Sequence, residues 1–439
     1  MSSYQVKKSP GNTEWFRHDR FGMFIHWGLY AMPARHEWVK HREEMTNERY
    51  QRYFDHFNPD LYDPREWARQ AKAAGMKYAV LTSKHHEGFC LFDSKYTDYK
   101  STNTPCGKDL VKEYVEAFRA EGLKVGFYYS LIDWHHPDFT IDPIHPLRNH
   151  PREEIEKLNE GRDMKRYAQY MRDQVTELLT NYGKIDILWF DFSYSKNNPP
   201  DKPWLKGKGK DDWEAEKLIA TARALQPEII IDNRTEIEQD IFTPEQYQPQ
   251  SWLRHPQTGE LVTWEACQTF SGSWGYHRDE QSWKDPAMLV QMLIMTVSLG
   301  GNLLMNVGPT SRGYLDKRAE NALKVYADWM KTCSRSIYGC TMAEAEFTAP
   351  NGCRLTQSED GKRLYVHLFQ YPYANLELPG FAGKVEYAQF LHDGSELLMT
   401  ERQVEHFSEG RTASDDLLVL KLPVPKPDIL VPVVELFLK

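Results

Sequence analysis

The sequence predicts a (β/α)8-like barrel followed by an antiparallel β-sandwich, and three observations predict it. Seven apolar, strand-like runs end in residues suited to chemistry rather than in more core residues. Amphipathic segments that stop at Gly or Pro alternate with those runs. Beyond about Ile337 the helical segments cease and short β-rich runs follow one another. An unpaired polar group in a core costs roughly 2 kcal/mol or more. Polar tips repeated on strand after strand therefore imply that the tips converge on one place, as they do at the C-terminal face of a barrel.

The strand runs, in order, are Gly22 to Gly28, Lys77 to His86, Val125 to His136, Ile185 to Phe192, Ile229 to Arg234, Thr263 to Gln268 and Asn302 to Gly308. Seven strands are one short of a full barrel, so one strand is unread or the barrel is irregular. Between them, Asp63 to Gly75, Lys108 to Gly122 and Gly161 to Gly183 carry apolar residues at helical spacing and end in Gly, a common helix stop. Asp211 to Pro227, Asp285 to Gly301 and Asp316 to Cys333 continue the pattern. Strand and helix in alternation build a parallel sheet. The Pro- and Lys-rich stretch from Asn197 to Lys210 follows the fourth strand, where it forms a loop over the mouth; its KGKGK run reads as solvated.

The second region holds RLYVHLFQ, NLELPG, KVEYAQFL, ELLMT, LLVLKLP and ILVPVVELFLK, separated by the turn signals EDGK, HDGS and ASDD. With no amphipathic helix among them, these read as an antiparallel sandwich. The boundary falls between Thr341 and Asn351, giving a barrel over residues 1–340 and a sandwich over 341–439. A chain of 439 residues accommodates both, since a barrel takes about 250 residues or more.

The net charge of −9 argues against a nucleic-acid-binding face, which would be basic. No run reaches the ~18 apolar residues of a membrane span, and the N-terminal stretch lacks the apolar core of a signal peptide. Six Cys without a CxxC pair suggest neither a metal site nor a disulfide framework. A cytoplasmic protein is expected.

Asp191 is the foremost candidate for chemistry. It ends the run Ile-Leu-Trp-Phe, where a carboxylate must be solvated, paired or functional as a nucleophile or base. His26 ends the first strand, and His85 and His86 the second. Imidazoles donate and accept hydrogen bonds and so suit hydroxyl recognition; no H-x-H pair stands at these tips to favour a metal. Tryptophans near the tips offer faces for sugar rings. Cleavage of a glycosidic bond requires a second carboxyl group, for which Glu236, Glu238, Glu245 and Glu265 are all available. Arg234, at the fifth tip, is suited to hold a carboxylate or a hydroxyl. Glu37 and Trp38 lie on the first loop.

Taken together, WFRHDRFGMFIHWG (Trp15 to Gly28), HEW (His36 to Trp38), AVLTSKHHEGF (Ala79 to Phe89), GFYYSLIDWHHPDF (Gly126 to Phe139), LWFDF (Leu188 to Phe192), DNR (Asp232 to Arg234), FTPEQ (Phe242 to Gln246), TWEACQTFSGSWGY (Thr263 to Tyr276) and SLGGNLLMNVGPTSRG (Ser298 to Gly313) resemble the α-L-fucosidases of glycoside hydrolase family 29. The resemblance implies a retaining exo-glycosidase with a catalytic barrel and a C-terminal β-sandwich, acting on fucosylated glycans without metal or other cofactor. By motif it implies Asp191 as nucleophile and Glu245 as acid/base, with Glu265 as the competitor for that second role. It also implies a sugar site of His26, Glu37, Trp38, His85, His86, Tyr129, Trp189 and Arg234, with Tyr128 as the alternative to Tyr129. Trp38 or Trp274 would face the C5 methyl of the sugar. The stretch Trp252 to Val262 is longer than in the simplest members. A metal-dependent barrel hydrolase and an inactive fucose-binding lectin are the rival readings.

Overall fold

The computed structural model describes residues 4–401 and 416–439. Seven parallel strands form one sheet: β1 (Phe21–Ile25), β2 (Tyr78–Lys84), β3 (Lys124–Ser130), β4 (Ile187–Asp191), β5 (Ile230–Ile231), β6 (Glu265–Thr269) and β7 (Asn302–Val307). Their spatial order is β5-β4-β3-β2-β1-β7-β6. The gap between β5 and β6 is filled by residues 241–246, which make isolated parallel bridges rather than a regular ladder: Phe242 to Trp264 and Glu245 to Cys267. The amide of Ile241 donates to Ile231, and those of Glu265 and Cys267 donate to Phe242 and Pro244. This segment is the eighth stave. Pro244 has no N–H to give a ladder, and Gln246 adopts φ 56°, so the segment cannot be a regular strand.

The helices lie where the periodicity predicts, and aspartate starts most of them. Asp63, Asp109, Asp163, Asp285 and Asp316 each accept an N–H from the first turn of Pro64–Ala73, Leu110–Ala120, Met164–Asn181, Pro286–Val297 and Lys317–Cys333. The helix Ala215–Leu225 has no such cap. The helices Asn47–Asp55 and Arg152–Asn159 were not expected. Both belong to long loops over the mouth.

Alternation along the strands splits the core into two layers. Phe24, Tyr78, Val80, Tyr128, Ile187, Trp189 and Leu304 fill the barrel interior. Their sequence neighbours Met23, Ile25, Ala79, Phe127, Tyr129 and Phe190 pack outward against the helices.

From Cys340 onward the chain forms two antiparallel sheets. One contains β8 (Cys340–Met342), β9 (Cys353–Ser358), β10 (Arg363–Leu368), β12 (Val385–Phe390) and β15 (Val433–Leu438); the other contains β11 (Asn375–Pro379), β13 (Met399–Glu401) and β14 (Leu417–Lys421). The turn expected at ASDD lies, apart from Asp416, outside the described residues. The six cysteines are unpaired. No helix among the described residues is long and apolar enough to cross a membrane.

The KGKGK run is not simply solvated. Lys208 is buried, and its ammonium bonds to Asp142 (2.5 Å) and to the carbonyl of Thr140 (2.8 Å). Tyr194 donates to the same carboxylate at 2.6 Å. Burial of Lys208 is tolerable only because Asp142 neutralises it.

Candidate active site

Asp191 closes β4 on the interior face, two residues beyond Trp189, so both side chains look into the barrel mouth. Tyr128 donates to its Oδ2 at 2.7 Å, and Arg234 Nη1 donates to Oδ1 at 3.1 Å. The same guanidinium reaches Glu245 through Nη2 at 2.8 Å and is steadied by Thr243 Oγ1 at 2.8 Å. Arg234 also lies 4.8 Å from the Trp189 ring. One arginine thus holds the two carboxylates together. Burial pushes Asp191 up to about 6; Arg234 and the Tyr128 hydrogen bond oppose the rise, and Glu245 adds to it.

Above Asp191 the imidazoles of His26 and His86 are buried and uncharged. Burial, reinforced by the neighbouring His85 ring, pushes His26 down to about 3 and His86 well below its ordinary range. Their tautomers follow from their partners. Asn306 donates its amide N–H to the Trp274 carbonyl (2.7 Å), so its Oδ1 accepts from His26 Nδ1 at 2.6 Å. Ser130 gives its hydroxyl proton to the carbonyl of Ile132 (2.8 Å), so its oxygen accepts from His86 Nδ1 at 2.7 Å. Each ring therefore keeps its Nε2 lone pair for the cavity, and that of His86 lies 4.0 Å from Asp191 Oδ2. Two acceptors facing each other call for a donor between them, which a hydroxyl supplies.

Glu37 is buried. Burial would raise its carboxyl, but the His36 ring at 3.0 Å and the Gly275 N–H at 2.8 Å outweigh that and hold it down to about 2. Trp38 packs its ring 5.0 Å from that of His86, and Trp274 lies 5.1 Å from that of His26. These groups, with Phe24, Phe192 and Cys267, line a cavity of about 330 Å³ including its open mouth.

Two expected residues lie elsewhere. Tyr129 faces outward, donating to Gln174 at 2.8 Å beneath the helix layer. Its neighbour Tyr128 takes the site position. Tyr128 pairs with Trp189 and Ser130 with Asp191 across β3 and β4, so strand parity alone selects Tyr128. Glu265 begins β6 instead of ending it, and so sits deep in the barrel rather than in the cavity lining. It is fully buried, accepts from the Tyr78 hydroxyl at 2.5 Å, and is pushed up to about 8 by burial, against that bond. Glu236 and Glu238 are engaged away from the cavity: Glu236 accepts from Ser195 at 2.6 Å, and Glu238 pairs with His255 at 2.5 Å and with Lys7. Asn306, Phe24 and Cys267 carried no motif signal of their own. Among the described residues, no group of three or more His, Cys, Asp or Glu side chains is arranged to hold a metal ion.

Breaking a glycosidic bond takes one carboxylate to attack or assist and a second group to move the proton, in a pocket that grips hydroxyls and apolar ring faces. Asp191 and Glu245 over aromatic rings and below neutral imidazoles have that form, and the fold and site define a barrel glycoside hydrolase. Comparison narrows the class. Residues 2–335 match the family described as Alpha-L-fucosidase. A plasma alpha-L-fucosidase of Homo sapiens is 30% identical over 356 residues, 74% of this chain and 68% of that protein. Alpha-L-fucosidase isoenzyme 1 of Paenibacillus thiaminolyticus superposes with a TM-score of 0.88 at 44% identity, covering 97% of this chain and 98% of that one. A family 29 alpha-L-fucosidase of Bacteroides thetaiotaomicron, described as a trapped covalent intermediate with 2-fluoro-fucosyl fluoride, superposes with a TM-score of 0.81 at 26% identity, covering 100% and 99%. The chain belongs to the alpha-L-fucosidase family.

Proposed function

We propose that the chain releases α-L-fucose from the non-reducing ends of fucosylated glycans by double displacement, with Asp191 as nucleophile and Glu245 as acid/base. The observation that carries this reading is the shared guanidinium of Arg234, which bonds to both carboxylates at the rim of an enclosed cavity. In the first step Asp191 Oδ attacks the anomeric carbon as the bond to the leaving oxygen breaks, and Glu245 gives that oxygen its proton. In the second, Glu245 takes a proton from water, which attacks the same carbon and frees Asp191. A retaining enzyme keeps its two carboxyl groups about 5 to 5.5 Å apart, a spacing compatible with two carboxylates on one guanidinium.

The cavity supports exo action, since it encloses a single terminal residue's worth of polar and apolar contacts. The Nε2 lone pairs of His26 and His86 would accept from fucose hydroxyls, and Trp38 or Trp274 would face the methyl group. A methyl in an apolar slot discriminates by only about 1 to 3 kcal/mol, so slow hydrolysis of a close hexose analogue is expected. We further propose that residues 341–439 form a domain of their own, and that the six free thiols reflect a reducing, cytoplasmic setting.

The direct test is Asp191→Gly on an aryl α-L-fucoside. Turnover should fall by about 10⁴-fold or more, with azide restoring it and yielding the inverted fucosyl azide. Turnover like that of the wild type would remove Asp191 from the mechanism. Glu245→Ala should lose far more rate on poor leaving groups than on good ones, whereas Glu265→Gln should keep the wild-type ratio.

A further inference from the structure

Glu245 borders two spaces. One is the enclosed cavity above Asp191. The other is a wider, open groove, and Phe192 and Glu245 lie in both linings. The side chain of Glu245 is 41% exposed, against 13% for Asp191, so its free face is toward the open side. The groove wall mixes the apolar Phe242, Pro244 and Leu253 with the polar Asn233, Glu236 and Thr243. At its edge Tyr247, two residues beyond Glu245, is 55% exposed. A large aromatic left half in water beside a mixed wall suits a pyranose, which has an apolar face and a hydroxyl rim. The backbone carries a second mark. Phe192 (φ 81°) and Glu236 (φ 62°) in the groove wall, and Gln246 (φ 56°) beside it in sequence, adopt the left-handed conformation, and Phe192 and Gln246 directly follow Asp191 and Glu245. Non-glycine residues held there cost about 1 to 3 kcal/mol each and gather at functional sites.

We propose that this groove is the leaving-group site, that it takes a neutral pyranose stacked on Tyr247, and that Tyr247 thereby selects glycan over small aglycones. The proposal rests on the reading of Glu245 as acid/base, because the departing oxygen must sit between that carboxyl and the groove. The one cation in the groove wall, Arg234, is already paired with Asp191 and Glu245, so it offers no free positive charge to an anionic leaving group.

The test compares two substrates whose leaving groups both need a proton but differ in size: methyl α-L-fucoside and fucose linked to a neutral disaccharide. With the full chain, Tyr247→Ala should lower kcat/KM about tenfold on the oligosaccharide, the equivalent of one stacking contact, while methyl α-L-fucoside stays within about twofold. Tyr247→Phe should retain the oligosaccharide activity. Equal loss on both substrates would mean that Tyr247 acts through Glu245, and no loss on the oligosaccharide would mean that the groove is not used; either result overturns the proposal. Wild-type inactivity on both substrates would overturn the function it rests on as well, which separates the two failures.

Discussion

The protonation of Asp191 is set by neighbours of opposite sign. Burial raises it to about 6, Arg234 and Tyr128 lower it, and Glu245 raises it. A nucleophile must be ionised, so kcat/KM should fall as the pH drops through about 6. In Glu245→Gln the negative neighbour is gone, and this acid limb should move to lower pH. In Arg234→Met it should move higher. α-L-Fucosyl fluoride is the substrate for the measurement, since fluoride departs without a proton; a limb that stays put in both variants would detach Asp191 from the profile. Glu265 makes the opposite kind of statement, about stability. Burial raises it from 4.5 to about 8, so the folded state keeps a proton that the unfolded chain has released across that window. Stability should therefore decline as pH rises from about 4.5 to 8. Glu265→Gln, which has nothing to titrate there, should show a smaller fall in thermal midpoint between pH 5 and pH 8; equal falls would contradict the assignment.

At the level of elements, the loop over the mouth is locked by geometry as well as charge. A Cβ on Gly207 would stand 1.9 Å from the Tyr194 carbonyl, a backbone atom that cannot yield. On Gly209 it would meet the end of the Glu236 side chain at 2.3 Å and the Ser195 Cβ at 2.7 Å, side-chain atoms rather than a backbone carbonyl. Gly207→Ala should thus cost about 1 to 3 kcal/mol in a urea titration, and proteolysis should speed up between residues 197 and 210; Gly209→Ala should do less. None of this was visible in the run of lysines, because burial of Lys208 depends on Asp142, 66 residues away in the sequence. Most of the barrel was legible. Apolar runs gave the seven regular strands, and apolar residues at helical spacing with Gly or Pro stops gave the main helices, though not their Asp caps. The eighth stave was missed because Pro244 and Gln246 erase the strand pattern, so a strand-forming segment read only as a motif. The site was legible by residue type, but Tyr129 and Glu265 show the limit. Which face a side chain takes depends on strand parity, and which end of a strand it occupies depends on a boundary two residues either way.

For the molecule as a whole, the sandwich is tied to the barrel through shared core. Tyr365, Leu391, Val431 and Val433 belong to the same apolar cluster as Tyr326, Trp329 and Met330 of the helix Lys317–Cys333, while the interior of the sandwich has its own. Trp329 donates to the Val431 carbonyl at 3.2 Å, and Arg335 pairs with the buried Glu435 at 2.8 Å. An interface that apolar should make the two regions melt together. Calorimetry should record a single transition whose van't Hoff and calorimetric enthalpies agree; two separate peaks would show the regions to be energetically independent. The parts of the barrel are not equally committed to it. Six staves are held by ladders of four or more pairs and β5 by a ladder of two, whereas residues 241–246 hang on a few isolated bridges, interrupted at Pro244, and carry Glu245. That one panel can be exchanged or reshaped while its seven companions keep their register, so preference for what departs can diverge between cousins of this enzyme without disturbing how fucose itself is gripped.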